Sequence, residues 1–246
     1  MSNIYETGKL LDEYLLFHYG DSDEVLPWPQ GPRDALGFAV RSVTELAKPP
    51  ATGPALDLGC AVGRSTFELA KHAPSVVGID FSQSFITAAI TLRDTGQLPY
   101  HRLDEGAATT TLTARIPPGC PTENVVFQQG DAMNLPPALG PFRLVHAANL
   151  LCRLTQPQRL MDRLPSLVSP GGQLLLTTPC TWLADFTPPE NWPAGSTRDW
   201  LKARLSPHFD LELETDLPFL IREHARKYQW SVALGMRWVR KGSAVG

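Results

Sequence analysis

Three carboxylates follow short apolar runs, at positions where buried strands would end. Asp57 stands two residues before Gly59, where a turn begins, Asp80 closes the next apolar run, and Asp131 follows the third. A carboxylate in a glycine turn repels a pyrophosphate, but it can accept hydrogen bonds from a cationic amino group. A carboxylate at the end of the second strand can accept both hydroxyls of a ribose. We therefore expect the three acids to bind a positively charged nucleoside, with Asp131 at the adenine amino group.

The turn itself reads Gly59-Cys60-Ala61-Val62-Gly63. Its glycines let the backbone bend sharply, and the helix expected after it presents free N–H groups to a ligand. Gly59, Ala61 and Gly63 alternate strictly, so the spacing fails the GxGxxG pattern of dinucleotide sites and disfavours a dehydrogenase. The simpler alternatives are a turn needed only for packing and acids that serve as helix caps. From the residues alone, the predicted ligand contacts are Asp57, Gly59, Gly63, Asp80 and Asp131.

The elements that must hold these residues alternate between strand and helix. Apolar residues recur at helical spacing over 9–19 and 36–46, which predicts a helical cap over residues 1–48. Thr155 and Gln158 have the spacing of a capping box, which predicts the start of a later helix. Strands are expected near 55–59, 76–80, 125–127, 144–147, 173–177, 209–214 and 228–239.

This alternation predicts a doubly wound, Rossmann-like α/β fold. The sheet is expected to have seven strands, mostly parallel with an antiparallel C-terminal edge strand. We expect a single domain over residues 1–246, with a hairpin-like insertion near 98–123. In such folds ligands bind beyond the carboxyl ends of the strands, so the turn after the first strand is the expected site.

The composition favours a small-molecule ligand. The chain has 246 residues, with 22 Lys+Arg against 25 Asp+Glu and a formal net charge of −3. Nucleic acids and acidic membranes attract clustered basic residues, so neither is an expected partner. The 4 cysteines stand far apart without zinc-ligand spacing, which disfavours a metal site. No apolar run is long enough to cross a membrane, and a cytoplasmic protein is expected.

Three motifs together resemble the S-adenosylmethionine site of class I methyltransferases. They are DLGCAVG at 57–63, GIDFS at 78–82 and GDA at 130–132, within a match that covers roughly residues 55–178. The resemblance implies S-adenosyl-L-methionine as the cofactor. The cofactor-binding residues that it implies are Asp57, Gly59, Cys60, Ala61, Gly63, Asp80, Phe81, Asp131, Ala132 and Asn149. The resemblance also implies that Asn149, after the fourth strand, holds the cofactor or the substrate near the reacting methyl group.

Other motifs are similar to a more specific family, the 4-mercaptohistidine N-methyltransferases of ovothiol biosynthesis. They include EYLLFHYG at 13–20, AANL at 147–150 and DLPFLIREHARKYQW at 216–230. The resemblance implies methylation of an imidazole ring nitrogen of 5-thiohistidine to give ovothiol A, with the sulfoxide synthase of the same pathway as a partner. Gly8 and Cys152 replace acids of the family pattern, and Cys180 replaces a tyrosine.

The matched motifs suggest residues for methyl transfer and for the substrate. Asn149, Tyr14 and His18 are the predicted catalytic residues; the alternative for Tyr14 and His18 is packing in the core. The ammonium and carboxylate of an amino-acid substrate need complementary charge. The predicted substrate-binding residues are Tyr14, Tyr19, Arg222, Glu223 and Arg226, and the alternative for the last three is a solvated loop.

Two other functions fit the cofactor motifs. One is a class I methyltransferase that acts on another small metabolite. The other is a non-catalytic protein that binds S-adenosylmethionine and regulates a partner.

Overall fold

The computed structural model describes residues 6–48 and 52–242. These residues form the strands β1 (Ala55–Leu58), β2 (Val76–Asp80), β3 (Gln97–Glu105), β4 (Ala108–Arg115), β5 (Val125–Gln129), β6 (Phe142–Ala148), β7 (Val168–Thr178), β8 (Phe209–His224) and β9 (Lys227–Arg240). They also form the helices α1 (Gly8–Tyr19), α2 (Ser22–Val25), α3 (Phe38–Thr44), α4 (Arg64–Ala70), α5 (Gln83–Thr95), α6 (Pro157–Leu167) and α7 (Thr197–Leu205).

The main sheet has seven strands in the order β5-β2-β1-β6-β7-β9-β8. β5, β2, β1, β6 and β7 run parallel, whereas β9 pairs antiparallel with both β7 and β8. The chain order reverses between β1 and β6, so the carboxyl ends of these strands open the crevice where such sheets bind ligands. The predicted fold class, with its antiparallel C-terminal edge, is confirmed.

Apolar layers cover both faces of this sheet. One layer contains side chains of α1, α3, α4 and α5, among them Phe67 and Phe85. The other contains side chains of α6 and α7, among them Leu164 and Leu201. Because both faces are covered, all four residues of β1 are buried, including the charged Asp57. A carboxylate in this position needs hydrogen-bond donors from its neighbours.

Polar side chains fix the start of α5 beside the carboxyl ends of the strands. Ser82 Oγ accepts a hydrogen bond from Phe85 N at 3.1 Å, so Ser82 caps α5. Glu6 also accepts a hydrogen bond from the first turn of α5, at 2.9 Å from Gln83 N. This contact holds the segment before α1 against α5.

Two hairpins meet beyond the same edge of the sheet. Thr178, the last residue of β7, pairs with Leu234 of β9, so the part of β9 before Leu234 extends past β7. Asp104 of β3 lies at the tip of this β8–β9 hairpin. Its Oδ1 is 3.0 Å from Arg222 Nη2, and its carbonyl oxygen accepts a hydrogen bond from Ala225 N at 2.9 Å. The segment near 98–123 therefore contributes a hairpin, β3–β4, that supports the tip of the other.

The predicted capping box is wrong. α6 begins after Gln156, which makes no side-chain capping hydrogen bond. Thr155 Oγ1 lies 3.4 Å from Met133 Sδ, and Gln158 Nε2 donates to the carbonyl oxygen of Asn191 at 2.9 Å. Both side chains bind tertiary partners instead of the helix terminus, because the segment after β7 folds back over this end of α6.

Two strands are longer than the sequence predicts. β7 includes Pro170-Gly171-Gly172 as an irregularity, since Phe142 pairs with Val168 whereas Leu144 pairs with Gln173. β8 continues to His224 instead of ending near residue 214. The charged segment that follows is thus the tip of a hairpin and not an extended loop.

Candidate functional site

The glycine turn after β1 has three left-handed residues. The φ angles of Gly59, Ala61 and Gly63 are 69°, 47° and 87°. The N–H groups of Gly59 and Cys60 both donate to the carbonyl oxygen of Ile79, at 2.8 and 3.1 Å. The turn is therefore bonded to the end of β2, and its own N–H groups are largely used within the protein. A phosphate group would find few free donors here, in agreement with the predicted exclusion of dinucleotides.

Asp57 faces the protein and not the crevice. Its Oδ2 accepts hydrogen bonds from Ser65 Oγ at 2.8 Å and Thr66 Oγ1 at 2.7 Å, and its Oδ1 lies 2.7 Å from His146 Nδ1. Burial raises the pKa of Asp57, but His146 and the two hydroxyl donors outweigh burial and leave the pKa below its ordinary value. Three protein groups therefore bind this carboxylate where the sequence predicts a cationic amino group of the ligand.

Asp80 stands at the edge of the crevice with its carboxylate oriented by two backbone donors. Oδ2 accepts a hydrogen bond from Ala61 N and Oδ1 accepts one from Ser82 N, both at 2.9 Å. Burial and, to a smaller extent, the nearby charge of Asp57 raise the pKa of Asp80 to about 6, against the lowering effect of these donors. Each oxygen retains a lone pair for another donor. The side chain can therefore accept two hydroxyl groups of one ligand.

Phe81 and Asp131 lie beside Asp80 on neighbouring strand ends. The ring of Phe81 is 61% exposed, which is unusual for a phenylalanine next to a buried strand. Gly130 N donates to the carbonyl oxygen of Asp80 at 2.9 Å, which brings Asp131 to the same edge. Asp131 Oδ1 accepts a hydrogen bond from Met133 N at 2.8 Å. The predicted ribose and adenine residues are thus neighbours.

Asn149 lies across the crevice from these groups, at the end of β6. Its N–H donates to the carbonyl oxygen of Thr177 at 2.9 Å, and Thr177 Oγ1 donates to Asn149 Oδ1 at 2.9 Å. The amide nitrogen Nδ2 remains as the donor for a ligand. Among the described residues, the non-glycine residues with positive φ are Ala61, Asn149 and Cys180, which follow the neighbouring strands β1, β6 and β7. Strained backbone of this kind concentrates at functional sites.

α1 lies over the glycine turn. Tyr19 Oη donates to the carbonyl oxygen of Val62 at 2.8 Å, and the ring of Tyr14 is 4.7 Å from that of Phe85. His18 lies between them in sequence, and its Nδ1 is buried without a hydrogen-bond partner among the described residues. Burial lowers the pKa of His18 to about 3, with Asp57 opposing this effect and Arg64 adding to it. The imidazole is therefore neutral at physiological pH.

The predicted substrate residues at the tip of β8–β9 lie elsewhere. Arg222 and Glu223 line a cavity of about 240 Å³ together with Glu13 and Leu16 of α1. Residues 9, 12, 13 and 16 share one face of α1, whereas 14 and 18 are on the opposite face. Both terminal nitrogens of Arg222 are already used, by Glu24 O at 2.8 Å and Asp104 Oδ1 at 3.0 Å. Arg226 is exposed at the tip. The structure does not bring these residues together with Tyr14 and His18.

Aromatic residues after β7 fix the segment that borders the Asn149 end. The indole nitrogen of Trp182 donates to Thr197 Oγ1 at 2.8 Å, and that of Trp192 donates to the carbonyl oxygen of Thr187 at 2.7 Å. Both indoles thus secure the fold of this segment.

Three buried polar residues near the turn were not singled out from the sequence. Ser42 and His146 are completely or almost completely buried next to Asp57, and Arg64 is 8% exposed and paired with Glu68 at 3.1 Å. Arg64 directly follows Gly63 and precedes Glu68 by four residues, so this i,i+4 charge pair at the start of α4 was a readable signal. For Ser42 and His146 the signal is tertiary, because they are far from Asp57 in sequence.

The described part of the chain contains no group of three or more His, Cys, Asp or Glu residues suited to a metal ion. No helix within residues 6–48 and 52–242 has the length and apolar character needed to cross a membrane.

Known proteins with similar sequences and folds are methyltransferases or share their fold. A stretch of 123 residues is 28% identical to the ubiquinone biosynthesis O-methyltransferase of Coxiella burnetii and covers 50% of this chain and 42% of that protein. The N-methyltransferase NodS from Bradyrhizobium japonicum WM9, solved in complex with S-adenosyl-l-homocysteine, aligns with a TM-score of 0.55 and 15% identity over 94% of this chain and 99% of its own. The YcgJ protein from Bacillus subtilis aligns with a TM-score of 0.56 and 13% identity over 83% of this chain and 99% of its own.

These structural likenesses show the fold, and the chain spans about two fifths of the length of the curated relative. The model of the methyltransferase domain family matches residues 33–232, which is most of the chain. The protein therefore belongs to the methyltransferase domain family.

Proposed function

We propose that the protein transfers a methyl group from S-adenosylmethionine to an imidazole ring nitrogen of 5-thiohistidine. The assignment of the cofactor rests on the carboxylate of Asp80, which two backbone donors hold beside Asp131 and the exposed ring of Phe81. S-adenosylmethionine supplies a methyl group already activated on a sulfonium. The protein has to bind and orient the cofactor and the acceptor, and it has to exclude water from the site.

The residues around the turn fit an adenosyl group. Asp80 would accept the two ribose hydroxyls, Asp131 the adenine amino group, and Phe81 would contact the face of the base. The backbone of the turn would approach the ligand at Gly59, which is half-buried, whereas Gly63 is buried and its missing side chain makes room for the ring of Phe127. Cys60 is completely buried and its N–H donates to the carbonyl oxygen of Ile79, so it would shape the turn without contacting the ligand.

The acceptor would lie between Asn149 and α1. Neutral His18 would accept a hydrogen bond from the N–H of one ring nitrogen, which leaves the lone pair of the other ring nitrogen free, and Asn149 Nδ2 would donate to the thiolate or the carboxylate of the substrate. This tautomer directs the free lone pair toward the transferred methyl group. Because its pKa is about 3, His18 would stay neutral and orient the substrate ring without taking a proton from it. The thiolate of a thiohistidine makes the ring more electron-rich, so a strong protein base is unnecessary.

A second hypothesis is that the amino-acid end of the substrate binds Arg222, Glu223 and Arg226. Arg222 and Glu223 line the cavity behind α1, where a zwitterion could bind, whereas Arg226 is exposed at the hairpin tip outside the lining of this cavity. One substrate molecule would contact both these residues and His18 only if α1 shifted. Substitution of Arg226, which is exposed, tests this hypothesis with little effect on the fold.

Incubation of the protein with S-adenosylmethionine and a panel of acceptors, read by mass spectrometry, tests the function. The panel contains 5-thiohistidine, histidine and a catechol, the last because the curated relative is an O-methyltransferase. We expect one added methyl group on 5-thiohistidine, located on the ring by fragmentation. Methylation of another acceptor alone would favour a different small-metabolite methyltransferase, and binding without turnover would favour a regulator.

Asn149→Ala is the matched active-site variant. We expect it to lower turnover on the methylated acceptor by more than about tenfold while the protein stays folded, since an interaction confined to positioning is lost. Asn134→Ala, a change of the same type away from β6, is the control. Wild-type turnover in the Asn149 variant would remove Asn149 from the site.

A further inference from the structure

A continuous chain of buried polar groups crosses the protein beneath the glycine turn. Ser42 Oγ of α3 lies 3.0 Å from His146 Nε2 of β6, and His146 Nδ1 lies 2.7 Å from Asp57 Oδ1 of β1. Asp57 Oδ2 then accepts from Ser65 and Thr66 of α4. Ser42, His146 and Asp57 are each at most 1% exposed. Four elements are thus joined through one carboxylate.

The chain of hydrogen bonds suits either protonation state of His146. Asp57 is an acceptor, so His146 Nδ1 must donate to it. In the neutral imidazole, Nε2 accepts a hydrogen bond from the Ser42 hydroxyl. In the imidazolium, Nε2 donates to Ser42 Oγ, and that hydroxyl can donate to the carbonyl oxygen of Ala39, 3.3 Å away. Ser42 therefore lets Asp57 keep its donor in both states.

The position of this pair in the sheet gives it a functional consequence. Asp57 and His146 are directly paired residues of β1 and β6, so their side chains lie on the same face. The glycine turn begins two residues after Asp57, and Asn149 stands three residues after His146. The two strands that flank the switch point are therefore tied together just before they enter the crevice. The hydroxyl partners of Asp57 extend this link to the first turns of α4.

We propose that His146 and Ser42 are positioning residues, which act through Asp57 to fix the glycine turn for S-adenosylmethionine. Asp57 serves the ligand indirectly, as the buried anchor of the turn. This inference rests on the proposed function only in taking S-adenosylmethionine as the ligand of the turn.

Two variants of His146 separate the bond to Asp57 from the bond to Ser42. The amide nitrogen of asparagine can occupy the place of Nδ1, so His146→Asn keeps the donor to Asp57 and loses the contact with Ser42. The longer glutamine places its amide near Nε2, so His146→Gln keeps Ser42 and loses Asp57. Both variants remove a ring from the core, and a purely structural role would affect them alike.

The readouts are the affinity for S-adenosylmethionine by calorimetry and amide hydrogen exchange of residues 59–63 without ligand. We expect His146→Gln to bind at least tenfold more weakly than the wild type and to exchange faster at the turn. We expect His146→Asn to stay within threefold of the wild-type affinity. Equal affinity in the two variants, whether high or low, would overturn the proposal.

If His146→Gln does not fold, Ser42→Ala tests the proposal in its place. We expect a two- to threefold loss of affinity, within the limit set for His146→Asn, and faster exchange at residues 59–63; unchanged values of both would also overturn the proposal. A wild-type protein that does not bind S-adenosylmethionine would instead refute the proposed cofactor. The exchange measurement needs no ligand, so it would still decide whether His146 holds the turn.

Discussion

Backbone strain at single residues marks the edge of the sheet where the ligand is expected. Ala61, Asn149 and Cys180 all adopt positive φ, a conformation that costs an L-residue about 1 to 2 kcal/mol. The strain at Ala61 coincides with its N–H bond to Asp80 at 2.9 Å. Its conformation is thus tied to the orientation of the carboxylate that we assign to the ribose.

Ala61→Gly should stabilise the protein by about 0.5 to 1 kcal/mol. Glycine removes the cost of the left-handed conformation but loses about 0.5 to 1 kcal/mol more backbone entropy on folding. Urea unfolding at constant pH measures the difference. Ala203→Gly is the control, because Ala203 lies exposed within α7, where glycine should destabilise by about 1 kcal/mol. A less stable Ala61 variant would show that the turn does not store this strain.

The pKa of Asp80 predicts how affinity depends on pH. Only the carboxylate accepts both hydroxyls, so S-adenosylmethionine should bind about tenfold more weakly at pH 5 than at pH 7, with a midpoint near the pKa of about 6. Calorimetric titration over this range measures the effect. Asp80→Asn should bind weakly at both pH values, and a pH dependence that persists in this variant would assign the titration to another group.

The raised pKa of Asp80 makes the stability of the ligand-free protein depend on pH in the opposite direction to ligand affinity. The pKa of Asp80 is higher in the folded than in the unfolded state, so folding favours the protonated form. Its contribution to stability is fully present below the unfolded pKa and is lost as the pH rises through about 6. Ligand binding and ligand-free stability should therefore respond to pH in opposite directions, and Asp80→Asn should remove both responses.

At the scale of elements, the contact of α1 with the glycine turn completes the site. Sequence periodicity predicts α1 and the parallel strands well, because each has a local apolar pattern. It does not predict that Tyr19 contacts Val62 or that Thr155 bonds outside its helix, because those partners are distant in sequence. Asp80 and Asp131 are predictable for the same local reason: they end strands whose patterns are clear. The partners of Asp57 are not.

Tyr19→Phe should weaken the seating of α1 on the turn. The change removes one hydrogen bond, from Oη to Val62 O at 2.8 Å, and should lower the free energy of unfolding by about 1 kcal/mol. It should also weaken S-adenosylmethionine binding, measured by calorimetry. Tyr228→Phe is the matched control, since its hydroxyl donates to Ala225 O at the hairpin tip. Equal ligand affinities in the two variants would show that the seating of α1 does not affect cofactor binding.

At the scale of the whole molecule, two hairpins and α2 form a junction above the sheet. The sequence predicts the class of the sheet and a hairpin-like insertion, but not this junction. Its contacts join residues near 24, 104 and 222, which no local pattern connects. Arg222 is buried there and uses Asp104 as its counter-ion, which accounts for a charge that sequence reasoning assigns to the substrate.

Asp104→Asn should loosen this junction. Its carboxylate binds both Arg102 at 2.9 Å and Arg222 at 3.0 Å, and it is 25% exposed, so we expect a loss of about 1 to 2 kcal/mol in stability. Glu45→Gln, which breaks the exposed pair with Arg41, is the control and should cost less than about 0.5 kcal/mol. Thermal unfolding compares them, and equal losses would show that Arg222 does not depend on Asp104.

The bond from Arg222 to the carbonyl oxygen of Glu24 joins residues 198 positions apart. On a ribosome, α1 and α2 emerge long before β8 and β9, so α2 finds its anchor at Arg222 only after the β8–β9 hairpin has been made. α1 can pack earlier, through Tyr14 on α5 and Tyr19 on the glycine turn. We expect the ligand affinity of a nascent chain to reach its full value only after this hairpin has formed.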